Sequence, residues 1–402
     1  MLTKVSQVHK PRWQLSEFDK ALITATYFGF TPIATPKVIA TDIASCEHCT
    51  ELSHYNAVEK AALIRTYLEE DFSSLPHPLS LIYRRVAKRT QLGGPTSTKH
   101  SSLGGYDLHF IGSQTGIAEA ALIRASLSIL SEEGYKNLRV ELNCIGDKES
   151  LATYERELIN YVKKFGSNIS EKLKIALKED VFNLFRLEHE EAMQFRVSAP
   201  ASISYLSAQS RTHFKEVLEF VEALGIEFGL SPELIGEKNH SSHTIFAIRS
   251  TGINAELSSI GGDYLAVGYR YSRLGRRLGM KKEIQMAGVS LFCPEKNVIK
   301  KIYKELPRPK FYLIQLGQSA KIKTLSLIEL LRSHRIPVHH FLGKDKLTVQ
   351  LGSAESLHVP YLIIIGQKEA LDGTATVRNI QTRAQDTIPI ERLPDFLKHV
   401  SL

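Results

Sequence analysis

The chain has 402 residues, a formal charge of +8 and a sequence pI near 9.1. At about 150 residues per domain that length predicts two or three domains, and 43% hydrophobic with 23% charged residues excludes a disordered or fibrous chain. The basic surplus suits a polyanionic partner such as nucleic acid, although many other proteins carry one. No apolar run reaches the ~20 residues needed to cross a bilayer, which argues against a membrane protein. Met1 to Gln14 lacks the apolar stretch of a secretory signal. Four cysteines do not make a disulfide scaffold, so the expected location is a reducing cytoplasm.

Leu15, Phe18, Leu22, Ile23 and Thr26 recur at helical spacing, which predicts a helix over Ser16 to Phe28 with Ser16 as cap and Gly29 as stop. Thr31 to Ala40 reads as extended because Pro32 and Pro36 forbid a central helix. Val58 to Glu70 is helical and Leu79 to Ala87 a buried strand. Lys88 to Gly105, polar and rich in Gly, Ser and Thr, reads as a loop. A strand at Asp107 to Gly112, a strong helix over Ile117 to Glu133 and a strand at Leu138 to Leu142 follow. Residues from about 150 to 210 read as a polar helical insertion, and Thr212 to Leu224 as an amphipathic helix. Thr244 to Ile248, Ile253 to Ser258 and Ala287 to Phe292 read as antiparallel strands.

Residues 294–310, with three prolines among many lysines, have the character of a linker between a first unit of residues 1–293 and a second of 311–402. In the second unit the pattern alternates strictly. Phe311 to Leu316, Pro337 to Phe341 and Tyr361 to Ile365 read as strands, Ser319 to His334 and Lys346 to Leu357 as helices. Thr374 to Asn379 and Asp386 to Ile390 read as a closing hairpin. That is a compact α/β unit of about 90 residues, within normal domain size.

Several short segments carry more than pattern. Leu142-Asn143-Cys144-Ile145-Gly146-Asp147-Lys148-Glu149-Ser150, Ala320 to Lys323, Pro360 to Gly366 and Gly373-Thr374-Ala375-Thr376-Val377-Arg378-Asn379 occur in one order along the chain, after a proline-bearing segment Tyr27 to Pro36. In that order they resemble class II histidyl-tRNA synthetases. The resemblance implies an α/β fold: an antiparallel six-stranded sheet with flanking helices, then an α/β anticodon-binding-type domain. It also implies a homodimer formed through the first helix and Thr31 to Ala40.

The catalytic segments match the family unevenly. Histidine adenylation needs an arginine where charge develops on the ATP α-phosphate, further groups and Mg to orient the triphosphate, and a polar, acidic pocket for histidine. The family's motif 2 falls on Tyr83-Arg84-Arg85-Val86, which keeps Arg84 as the catalytic candidate but has Val86 for the acid. Glu59, His109, Gln114, Thr244 and Tyr271 fall on pocket positions. Ala57 and Gly236 stand where the family has arginines, and no arginine stands in the motif 3 region around Ala287 to Glu295. The resemblance therefore implies a synthetase-like paralogue that has lost adenylation and binds tRNA or a related RNA. One alternative is a divergent active histidine–tRNA ligase using ATP and Mg, with the missing arginine relocated to Arg85, Arg89, Arg273 or Arg276. Another is a regulatory subunit like the synthetase-like partner of ATP phosphoribosyltransferase.

Arg85, Lys88, Arg89 and Lys99 concentrate charge near the motif 2 loop, and Arg378 and Arg383 near the C-terminal hairpin; all six are candidate RNA contacts. Arg270, Arg273 and Arg277 would share one face if Arg270 to Leu278 is helical. Cys46, His48, Cys49 and His54 offer four soft ligands within nine residues, a possible zinc site. A lone CxxC pair with two surface histidines is the alternative.

Overall fold

The computed structural model describes residues 15–46, 57–91, 100–165, 169–187, 189–236, 238–250, 264–294, 301–343 and 346–400. The first helix, α1 (Lys20–Tyr27), starts at Asp19, whose carboxylate accepts from Leu22 N at 3.0 Å. The cap thus lies three residues beyond Ser16, where the sequence predicted it. Gly29 ends the turn at φ +80°, a conformation that favours glycine. Then come β1 (Thr31–Pro32), α2 (Ala40–Ala44), α3 (Ala57–Glu69), β2 (Leu79–Gln91), β3 (His100–Ile111), α4 (Ile117–Glu132) and β4 (Leu138–Gly146). The insertion is α5 (Lys148–Lys163), α6 (Glu171–Glu179), α7 (Asn183–Arg186) and α8 (Glu190–Arg196). The first unit closes with α9 (Ala208–Ala223), β5 (Phe228–Leu230), β6 (Ser242–Ser250), β7 (Ala266–Arg270), α10 (Ser272–Arg277) and β8 (Met286–Pro294).

These strands form one sheet in the order β1-β2-β3-β8-β7-β6-β4-β5. The inner six are antiparallel, as expected, and the short outer strands β1 and β5 pair in parallel. The expected loop over Lys88 to Gly105 is a correction. Its ends are ladder, with Lys88 opposite Leu103 and Gln91 opposite His100. Polar composition reads as loop, but a strand paired on its hydrogen-bonding edge needs no apolar side chains. The expected strand Ile253 to Ser258 lies outside the described residues.

The sheet separates two cores. On one face Ile82, Leu108, Phe110, Val289 and Leu291 pack with α1, α4 and α9. On the other, Leu81, Tyr83, Val267, Tyr269 and Tyr271 pack with α3 and the insertion helices. The alternation along each strand sets which residues face which core. Asp147 fixes the insertion's entry: it caps α5 through Ser150 N at 2.9 Å and accepts from Ser207 Oγ at 2.6 Å.

The second unit is built from β9 (Phe311–Gln315), α11 (Gln318–Ser333), β10 (Val338–His340), α12 (Leu347–Ser356), β11 (Tyr361–Ile365), α13 (Gln367–Asp372), β12 (Thr374–Asn379), β13 (Gln385–Pro389) and α14 (Leu393–Val400). Its sheet runs β10-β9-β11-β12-β13, parallel over the first three and antiparallel at the hairpin. The helical-face core is continuous across both units, since Leu325, Ile328 and Leu331 of α11 join the cluster that holds α1 and α4.

An ion network rims this junction. Glu329 accepts from Arg332 at 2.8 Å and Arg124 at 2.7 Å, Arg332 reaches Glu132 at 3.0 Å, and Glu132 also pairs with Lys20. Glu329 is only part-buried, so its loss costs less than that of an enclosed pair. Glu329→Ala is expected to weaken docking by about 1–2 kcal/mol. Limited proteolysis across residues 301–310 checks this: faster cleavage with an intact isolated second unit is expected, and an unchanged rate would refute it.

Candidate functional site

The face of the sheet under α3 and the insertion carries a buried polar cluster. Tyr83 and Arg85 come from β2, Asp107 and His109 from β3, Ser290 from β8, and Tyr269 and Tyr271 from β7 and its end. Glu59 and Lys60 descend from the first turn of α3. Lys60, Asp107, His109, Tyr269, Tyr271 and Ser290 are each 0% exposed, and Tyr83 1%.

His109 organises the tyrosines. Its ring stacks on Tyr83 with centroids 5.4 Å apart, Nε2 lies 3.3 Å from the Tyr83 hydroxyl, and Nδ1 lies 2.9 Å from the Tyr271 hydroxyl. Burial, reinforced by the Lys60 charge, holds the imidazole well below its ordinary pKa. The ring is therefore neutral, donating through one nitrogen and accepting through the other. Burial also raises Tyr83 and Tyr271 well above the usual phenol value, so both keep their protons.

Among the described residues two cations are buried on this face, and both are engaged by the protein itself. Lys60 Nζ lies 4.6 Å from the Tyr269 ring centre and 3.4 Å from Ser290 Oγ. Burial lowers its ammonium to about 8, while Asp107 and Glu59 oppose the shift. Arg85 donates to the Leu291 carbonyl at 2.6 Å, and its guanidinium lies 4.5 Å from the Phe292 ring centre.

Of the residues chosen from sequence, the fold brings together Glu59, His109 and Tyr271. Arg84 is exposed and alternates with Tyr83 and Arg85, so it points to the opposite face. One residue of register moved the site-facing arginine from Arg84 to Arg85. Gln114 is exposed in the turn before α4. Thr244 is buried but alternates with Ile245, on the side of Phe246 and the helical core. Arg85, expected as an RNA contact, is buried at 7% exposure. Lys88 and Arg89 lie in β2, and Lys99 falls outside the described residues. Arg378 is half-buried on β12, whereas Arg383 is exposed in the β12–β13 turn at φ +60°.

Cys46 is buried at 4% exposure in the α3 core, and His48, Cys49 and His54 fall outside the described residues. Among the described residues no group of three His, Cys, Asp or Glu side chains is placed to hold a metal. Arg270 is not on a helix with Arg273 and Arg277, as the sequence suggested. It ends β7 and points to the helical core, where it makes a two-pronged pair with Glu119 at 2.6 and 2.8 Å. Its remaining donors reach the Ser113 and Thr115 carbonyls, each at 2.8 Å.

Sequence reading missed Lys60, Asp107 and Ser290. One clue was present: Lys60 shares a helical stripe with Leu63, Ile64 and Tyr67, where a lysine at a core position demands a partner.

Residues 310–399 match the anticodon binding domain model. The histidine–tRNA ligase of Anoxybacillus flavithermus is 24% identical over 349 residues, covering 85% of this chain and 80% of the relative. That of Desulforamulus reducens is 23% identical over 411 residues, covering 96% and 95%. The solved apo histidyl-tRNA synthetase of S. aureus aligns over 93% of this chain and 92% of its own, at 19% identity and a TM-score of 0.49. Among the described residues no helix is long and apolar enough to cross a membrane. Residues 310–399 thus carry an anticodon binding domain, and over most of its length the chain is similar to histidine–tRNA ligases.

Proposed function

We propose that this chain is a synthetase-fold protein that no longer activates histidine and instead holds tRNA or a related RNA. The observation that carries the reading is the internal engagement of both cations buried on the site face. Lys60 lies against Tyr269 and Ser290, and Arg85 against Leu291 and Phe292. Neither is presented to a phosphate. Removing one preorganised donor to developing charge typically slows a reaction about 10²–10³-fold. The Ala57 and Gly236 positions, where the family carries arginines, add to that loss. The anticodon binding domain and the +8 charge support the RNA limb.

The test is histidine-dependent ATP–pyrophosphate exchange on metal-replete protein, with and without tRNA. No exchange above the histidine-free blank is expected. A tRNA mobility shift at low salt, fading as salt rises, is expected alongside it. Its absence at low salt would refute the RNA limb. Exchange well above the blank would favour the second reading, a divergent active ligase. One observation points that way: Arg273 in α10 is half-buried near Asp147, and its Nη2 makes no hydrogen bond to any described group.

The reading includes a homodimer formed through α1 and residues 31–40. Val38 and Ile39 support it, exposed at 41% and 43%, and Ile43, just beyond that segment in α2, extends the apolar stretch at 57%. Ile39→Asp with Ile43→Asp is expected to give a folded monomer in sedimentation equilibrium. A wild type that is monomeric at high concentration would refute the dimer.

A further inference from the structure

Lys60 is enclosed completely, and its surroundings have the composition of a ligand site. Its ammonium faces the Tyr269 ring at 4.6 Å and the Tyr271 ring at 5.8 Å from their centres, with the Ser290 hydroxyl at 3.4 Å. The Asp107 carboxylate, also 0% exposed, and the neighbouring Glu59 carboxylate supply opposite charge. Aromatic faces, a hydroxyl and a desolvated carboxylate are how proteins hold the ammonium group of a ligand. The elements come from far apart: α3, β3, β7 and β8. A lysine kept only for packing would need its stem covered and its head in water. Here the whole side chain, head included, is buried at 0% exposure.

We propose that this face carries a built ammonium-binding site whose resident occupant is Lys60, and that the ligand class it accepts once that side chain is removed is a small primary alkylammonium. In the intact chain Lys60 excludes such ligands, free amino acids included, because withdrawing its ammonium would leave the buried Asp107 carboxylate without that opposing charge. The inference rests on the reading above only in that the site face is closed to free substrate; it is independent of whether RNA binds.

The test compares wild type with Lys60→Ala by thermal unfolding and calorimetry, with n-butylammonium as probe and 1-butanol as the neutral isostere at matched ionic strength. Lys60→Ala is expected to melt lower than wild type and to regain several degrees in saturable fashion with butylammonium but not with butanol. Wild type is expected to respond to neither. Indifference of folded Lys60→Ala to butylammonium, or an equal response from wild type, would overturn the proposal.

Should Lys60→Ala fail to fold, Lys60→Met keeps the stem and drops the charge. Its destabilisation is expected to be largely reversed by adding Asp107→Asn, since the orphaned carboxylate is then gone. Additive losses from the two substitutions would overturn the proposal. Pyrophosphate exchange by wild type would refute the non-adenylating reading alone, and a Lys60→Ala protein indifferent to butylammonium would refute this one alone.

Discussion

Arg270→Ala is expected to destabilise the protein by about 3–5 kcal/mol, because it strands the Glu119 carboxylate in a wholly buried place. Arg270 is 1% exposed and Glu119 0%, and the arginine spends all its forks on Glu119 and two backbone carbonyls. It ties the end of β7 to the start of α4, two elements that the chain separates by 151 positions at this pair. Urea denaturation is the measurement. Arg270→Ala combined with Glu119→Leu is expected to recover part of the loss, since the unpaired charge is removed along with its partner. A loss under about 1 kcal/mol for the single substitution would show that water reaches the carboxylate.

The same pair gives a pH dependence with a definite sign. Burial alone pushes the Glu119 carboxyl up. The charge and hydrogen bonds of Arg270, with His213 adding to them, hold it below the ordinary glutamate value. A folded-state pKa below the unfolded one means stability that is fully present above the unfolded value, near 4.5, and is lost as pH falls through the folded value. Acid unfolding of wild type should therefore include a component below that pH that Glu119→Gln lacks.

Gly105→Ala is expected to cost about 3 kcal/mol or more and to lower soluble yield. Gly105 lies in β3 between Arg85 of β2 and Phe292 of β8. A methyl group there would overlap the Leu291 carbonyl oxygen and meet Arg85 Nη2 at 2.8 Å. The missing side chain is what lets Arg85 cross over β3 to reach that carbonyl. Because the overlap is with backbone, Arg85→Ala is not expected to rescue Gly105→Ala. Rescue would mean that the arginine, and not the strand spacing, sets the constraint.

The chain's own pattern determined a good deal. Apolar recurrence over Ile117 to Glu133 specified α4, and strict alternation beyond residue 310 specified the strands of the second unit with α11 and α12, though not α13 or α14. Those are local facts, since a helix stripe or a short strand core is written in neighbouring residues. Family resemblance, carried by short segments such as Leu142 to Ser150, was legible in the same way.

The tertiary structure alone decided the rest. That β2 and β3 run on through polar residues depended on ladder partners, to which composition is blind. Whether Arg84 or Arg85 faces the site turned on a single residue of register, because successive strand residues point to opposite faces. Arg270 read as one cation of a surface cluster until the sheet placed it against Glu119. The enclosure of Lys60 needed four elements from across the first unit to meet at one point. A side chain's charge is in the sequence, but its desolvation and its partner are properties of the packed fold.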